Sequence, residues 1–358
     1  MSADALKLTA YFGERERAER GLLSDALADL YGAHRIQASV LLRGAEGFGP
    51  LHRLRTDRLL TLSEDLPVVS VAVDSPERIE ALLEPVTQVT RSGLITLERA
   101  RLLTGGPAAA ELPEQPGQAT KLTVYVGRHE RTGRLSAHAA VTGILHRHGV
   151  DGATVLLGVD GTRGGRRLRA RFIARNAEVP MMIVAVARGG RIAAALPEIF
   201  ALLREPLITI ERVRVCKRDG ELLARPQEPA GRDEHGLALW QKLMVYTSQQ
   251  ATHDGHPLST QIVRRLRESD AAGATSVRGI WGFHGEHAPH GDRFLQTRRR
   301  VPVVTIVIDT PERIARSFSI IDELTREHGL VTSETVPAMR AMGADGQLGC
   351  LRLAERGL

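Results

Sequence analysis

The chain of 358 residues carries 48 lysines and arginines against 42 aspartates and glutamates, a formal net charge of +6, and is 42% hydrophobic but only 4% aromatic. This composition suits a globular protein with several small cores and excludes a disordered chain, while the longest apolar stretches, such as residues 181–187, fall far short of the roughly 18 residues a membrane-spanning helix needs. Cys216 and Cys350 lie far apart with no companion at ligand spacing, which gives neither a disulfide framework nor a thiolate zinc site, and without signal-peptide features at the N-terminus a cytoplasmic protein with no membrane insertion is expected.

From the N-terminus, Leu8, Ala10 and Phe12 alternate with other residues in the period-2 manner of a strand with one buried face. Leu22, Leu23, Ala26, Leu27 and Leu30 then recur at helical spacing, with Gly32 as the expected stop. A β-rich run at 38–42 leads into Gly44-Ala45-Glu46-Gly47-Phe48. Residues 68–73, opened by Pro67, are almost wholly apolar and predict a central strand covered on both faces. Asp74-Ser75-Pro76-Glu77 starts a helix with a cap candidate, an early proline and a first-turn acid, and Ile79, Leu82, Leu83 and Val86 give it a buried stripe. Leu94-Ile95-Thr96-Leu97-Glu98 closes the unit as a strand.

The same series then occurs twice more. Lys7-Leu8-Thr9-Ala10-Tyr11 returns as Lys121-Leu122-Thr123-Val124-Tyr125 and Lys242-Leu243-Met244-Val245-Tyr246, and the closing strand returns as Leu207-Ile208-Thr209-Ile210-Glu211 and Leu330-Val331-Thr332-Ser333-Glu334. Units of about a hundred residues are domains and not solenoid repeats. The predicted organisation is repeat one at 1–104, a linker at 105–120, repeat two at 121–217, a linker at 218–239, repeat three at 240–340 and a tail at 341–358. The order βαββαβ predicts an α+β fold of three tandem ferredoxin-like domains. Each plait leaves one sheet face bare, so the three are expected to pack as an intramolecular pseudo-trimer, a monomer by chain.

Arg43-Gly44-Ala45-Glu46-Gly47-Phe48-Gly49, followed by Leu62-Ser63-Glu64-Asp65-Leu66-Pro67, resembles the family known as domain of unknown function 190, which is similar in fold to the PII-like regulatory proteins. The resemblance covers nearly all of repeat one and, more weakly, repeats two and three. It implies a non-enzymatic, signalling protein in which a small anionic ligand, an adenine nucleotide being one candidate, binds in clefts between repeats. It also implies that long loops, here about 44–66, 158–179 and 279–301, contact a target protein. A ligand-free scaffold docking on a membrane transporter is the alternative, since members of the family are often encoded beside fluoride-channel proteins.

The residues themselves supply the candidates. Arg188-Gly189-Gly190-Arg191 replaces the proline-and-acid helix start in repeat two, and free amides with flanking arginines suit an anion. Pro76 and Pro311 lack an N–H, and Glu77 and Glu312 oppose phosphate at the matching places. Arg99 with Arg101, and Arg212 with Arg214, alternate along closing strands and present paired guanidinium groups; edge protection is the other reading. Arg43, Gly44, Gly47, Phe48 and Gly49, with Arg278, Gly279, Trp281, Gly282 and Phe283, are candidates for partner contact or for packing against their own sheet. His284, His287 and His290 are a metal candidate by residue type, but glycine and proline between them fix no common facing, so no metal is expected.

An RNA-recognition module shares the strand order but needs aromatic residues on its central strands, and 68–73, 181–186 and 303–308 hold none, so no nucleic-acid partner is expected. No nucleophile–base signature, phosphate loop or metalloprotease helix is present in the sequence, which argues against an enzyme.

Overall fold

The computed structural model describes residues 2–50, 52–56, 65–103, 112, 117–168, 179–227, 229, 231–285, 289–291, 301–343 and 346–355. In the first third, β1 (Ser2–Gly13) is followed by α1 (Leu23–Ala33), β2 (Ala38–Arg43), β3 (Glu46–Phe48), β4 (Pro67–Asp74), α2 (Pro76–Val89) and β5 (Gly93–Leu103). The second third contains β6 (Gln118–Gly127), α3 (Ala137–Arg147), β7 (Gly152–Arg163), β8 (Pro180–Ala187), α4 (Gly189–Leu202) and β9 (Leu207–Arg218). The last contains β10 (Trp240–Ser248), α5 (Leu258–Glu268), β11 (Ala274–Arg278), β12 (Trp281–His284), β13 (Pro302–Asp309), α6 (Pro311–Leu324) and β14 (Leu330–Val336), then a hairpin of β15 (Ala338–Gly343) and β16 (Gly346–Cys350).

Local chemistry accounts for these elements. The proline-led runs form β4 and β8, buried along their whole length as unbroken apolar sequence requires. At α6, Thr310 accepts a hydrogen bond from the Arg313 amide and Pro311 occupies the first turn. The stop expected at Gly32 falls slightly later: α1 runs through Gly32 to Ala33, and the left-handed turn is taken by Arg35 at φ 51°.

Hydrogen bonding between the thirds corrects the expected fold class. The strands are not three four-stranded sheets meeting only through their faces; among the described residues they pair across the repeat boundaries into one 20-stranded sheet. Following the antiparallel pairs β2–β4–β1–β5–β9–β6–β8–β7 leads back to β2, a closed circuit of eight strands. The last third joins the circuit through β11 on β3, β12 on β7, β14 on β9 and β15 on β5. The protein is therefore a closed antiparallel β-barrel with added strands and, among the described residues, six helices, in place of three ferredoxin-like, PII-like domains packed as a pseudo-trimer. The physical reason is edge pairing: β9 is 12 residues long and overruns its own third, supplying one end to β5 and the other to β14, which satisfies strand edges that separate domains would leave open.

One inner cluster draws on every third, including Val40, Val71, Leu156, Val184, Met244 and Val304. Outside it, three further clusters seat the helices: Leu27 and Leu82 of α1 and α2, Val141 and Ile192 of α3 and α4, and Ile262 and Phe318 of α5 and α6. No helix among the described residues is long and apolar enough to cross a membrane.

The junction of the first and last thirds depends on one close approach. Gly47 pairs with Thr275, and a Cβ at Gly47 would lie 2.5 Å from the Ala274 carbonyl oxygen. Because that neighbour is backbone, Gly47→Ala is expected to cost about 1–3 kcal/mol in chemical denaturation and to speed hydrogen exchange in β3 and β11 while leaving β2 and β7 protected.

Candidate functional site: a buried charge ring and an inter-copy cavity

Lys7, Lys121 and Lys242 sit on the first strand of each third, directly across from Glu98, Glu211 and Glu334 on the closing strands. All six are buried. Within each third the ammonium–carboxylate distances are 3.2 Å for Lys7–Glu98, 3.1 Å for Lys121–Glu211 and 2.9 Å for Lys242–Glu334. Between thirds the same ammonium groups reach the next carboxylate, pairing Lys7 with Glu211, Lys121 with Glu334 and Lys242 with Glu98. The result is an alternating, charge-balanced ring of six. The three carboxylates offer oxygens within 4.8 Å of one another, a spacing that demands a cation, and the lysines are that cation. Burial opposes ionisation here, yet facing ammonium groups overcome it and hold the Glu334 carboxyl down to about 2, with Glu98 depressed further, and facing carboxylates hold Lys7 and Lys242 above the usual lysine range, whereas burial outweighs the carboxylates at Lys121 and lowers it. Burial pushes the neighbouring Tyr11, Tyr125 and Tyr246 hydroxyls up, so they stay protonated.

A cavity of about 660 Å³ opens between the first and last thirds. Its floor is apolar, formed by Tyr11, Trp240, Ile306 and Met339. On one wall Phe48, itself buried, stacks on His52 with ring centroids 5.7 Å apart. Another wall is the start of α6, where Asp309 accepts hydrogen bonds from the amides of Thr310 (2.8 Å) and Ala272 (2.9 Å). Burial raises the Asp309 carboxyl and those two amides oppose the rise. At the rim, His52 and Arg313 flank Asp270 at 3.4 and 3.9 Å, and Arg55 is held by Asp65 at 2.8 Å and Glu16 at 3.6 Å. Arg53, also lining the cavity, is exposed and makes no ion pair with a described residue.

The sequence profile of the DUF190 family, described as "Uncharacterized ACR", matches residues 5–102, 119–215 and 240–338. The chain belongs to the DUF190 family. It carries three tandem copies, and each copy contributes one lysine and one glutamate to the buried ring. A UPF0166 protein of Aquifex aeolicus (strain VF5) is 32% identical over 95 residues, which are 26% of this chain and 88% of that protein, so a relative can consist of about one DUF190 copy.

Against this DUF190 frame the sequence candidates divide. Arg188 is exposed at the cap of α4, but Arg191 donates to Asp151 at 3.0 Å, and the other Asp151 oxygen takes Arg218 at 2.7 Å. A carboxylate of the protein thus sits where an anion was expected to bind at Arg188, Gly189, Gly190 and Arg191. Arg99 is half-buried and donates to the Ala354 carbonyl at 3.0 Å, while Arg101 stands opposite Asp4; Arg212 is exposed and Arg214 lies opposite Ser333. None of these four lines the cavity.

The glycine–aromatic segments turn inward. Phe48 and Phe283 are buried at the junctions between copies, so packing and not external contact describes them. The Trp281 indole donates to Thr142 at 3.1 Å, and Phe283 meets His146 edge-on at 5.1 Å. The amides of Gly44 and Gly279 each donate 2.7 Å bonds to the carbonyls of Pro67 and Pro302, and Gly282 has φ 157° with a Cβ position 2.2 Å from the Ala153 oxygen. Arg43 pairs with Glu14 at 2.9 Å, and Arg278 is half-buried on β11. Gly49 lines the cavity. Of the histidines, His284 Nδ1 lies 3.2 Å from Asp219, His287 falls outside the described residues, and so does the side chain of His290.

Sequence reasoning missed the charge ring, Asp151 and the Arg53–Asp309 cavity. The ring did have a signal: a lysine in the first strand and a glutamate in the closing strand, at matched positions in all three copies. Replacing Glu211 by Leu leaves Lys7 and Lys121 each short of a partner and is expected to cost about 3–5 kcal/mol in denaturant titration, whereas replacing all six by apolar residues of similar size should recover most of the loss. Glu98 and Glu334 are ionised in the fold at pH values where the unfolded chain, titrating near about 4.3, takes up protons; their contribution is whole above that pH and drains away as pH falls toward about 2. An unfolding midpoint independent of pH between 5 and 2 would contradict the ring's ionised state.

Proposed function

We propose that this DUF190 protein is a non-enzymatic regulatory protein that binds a small anionic ligand between its first and third copies and passes the bound state to a partner protein. The supporting observation is the cavity of about 660 Å³, with its apolar floor and arginines at the rim, placed where two copies meet. Its size falls in the range of small-molecule sites, and a mostly apolar pocket with a few convergent polar groups is the usual design. The rim leads directly to the partner-facing part of this proposal. Arg55 is bonded to Asp65 at 2.8 Å, so a ligand that engages the Arg53–Arg55 rim competes with Asp65 for Arg55. Coupling then requires only that the ligand prefer one state of this ion pair over another.

The test is a thermal-shift screen of small organic and inorganic anions, followed by tryptophan emission, since Trp240 is part of the cavity floor. A true ligand at a hundred times its dissociation constant should stabilise the fold by about 2.7 kcal/mol and perturb Trp240 emission in the Trp281→Phe background. Failure of every anion to produce both signals would remove the proposal.

A further inference from the structure

The cavity between the first and third copies differs from a phosphate cradle in ways that specify the chemistry of its ligand. Helix N-termini bind phosphate through free amides. At α6 most of those groups are used: the Thr310 amide, with that of neighbouring Ala272, donates to Asp309, Arg313 donates to Thr310 Oγ1, and Pro311 has no N–H, which leaves the amide of Glu312, whose own side chain carries a negative charge. Three carboxylates, Glu16, Asp270 and Asp309, also line the space and would oppose a polyanion across a few ångströms of partly apolar medium.

The cations point the same way. Arg55 is neutralised by Asp65 and Glu16, and Arg313 by Asp270. Arg53 is the lining cation that forms no ion pair with a described residue, so among the described residues the cavity offers one uncommitted positive charge. Below that charge lies an apolar floor of Tyr11, Trp240, Ile306, Ile308 and Met339, wide enough for an aromatic or branched body.

We infer that the ligand of this cavity is an amphipathic monoanion, an aromatic or branched apolar body bearing a single carboxylate or sulfonate, seated on the Trp240 floor with its charge on Arg53. This rests on the reading of the cavity as a ligand site and narrows it: polyphosphates are excluded by the carboxylate lining and by the self-capped helix.

The probe is 8-anilinonaphthalene-1-sulfonate, an aromatic monoanion, titrated into the full chain with inorganic tripolyphosphate as competitor at fixed ionic strength. One saturable site is expected, with energy transfer from tryptophan that falls sharply in Trp240→Phe and persists in Trp281→Phe. Arg53→Glu, an exposed change that leaves the fold intact, should weaken the probe about tenfold, as loss of one charge-assisted contact does. Ala341→Phe, which fills the cavity, should abolish binding; its unfolding midpoint reports whether the variant has folded, and the Arg53 variant decides the matter where it has not. Tripolyphosphate that displaces the probe through Arg53 would overturn the monoanion assignment and leave the ligand site standing. Binding indifferent to Arg53→Glu and Trp240→Phe, or no binding at all, would overturn both.

Discussion

Six buried charges constrain everything else in this molecule. Each lysine of the ring bridges the glutamate of its own copy and that of the next, so the array is neutral, with every member paired on both sides, only when all three copies are present, in cyclic order and in register. Taking an ion out of water costs several kcal/mol even after relaxation, and a missing neighbour leaves that cost unopposed. The ring therefore adds little net stability but discriminates strongly between arrangements. A one-residue slip of β1 against β5 would turn Lys7 away from Glu98 and into the apolar layer. The apolar inner cluster fits around this ring and the edge pairing between copies completes it.

The three junctions meet the same requirement with different side chains. Between second and third copies, Trp281 and Phe283 reach Thr142 and His146 on α3. Between third and first, the matching segment places Phe48 in the α5–α6 core and bonds Glu46 to Thr260 at 2.9 Å. Between first and second the contact is polar: Thr162 bonds to Ser39, and Arg167 bridges Asp160 and Asp29. Residues that only pack can diverge as long as they pack. The junction of first and third copies leaves a cavity, and its walls carry the charges from which a ligand can be inferred.

Much of the architecture was legible in the sequence and some of it was not, for physical reasons. The unbroken apolar runs of β4 and β8 report strands buried on both faces, and β1 appears where its alternation puts a strand, but its second face is buried too, with Lys7 and Thr9 on it, where the alternation predicts one buried face. The pattern says nothing about which strand edges find partners, and so the pairing of β9 with both β5 and β14, which turns separate sheets into one closed sheet, could not be read from it. The arginines at 188 and 191 met every local condition for binding an anion, yet Asp151, remote in sequence, reaches Arg191 first. Similarly, Phe48 and Phe283 on glycine-rich segments fitted exposed anchors and packed cores equally well until their neighbours on other copies were known.

The central claim is that the three copies stand or fall together as one closed structure. It is tested most directly by guanidinium unfolding of two single-tryptophan variants, Trp281→Phe, which retains Trp240 at the junction of first and third copies, and Trp240→Phe, which retains Trp281 at the junction of second and third. A ring locked by shared charges predicts coincident transitions, with the same slope and with midpoints that agree once each substitution's own effect is measured by circular dichroism. Two separated transitions, each seen by one tryptophan while the rest of the secondary structure persists, would show that the copies unfold independently and contradict the account.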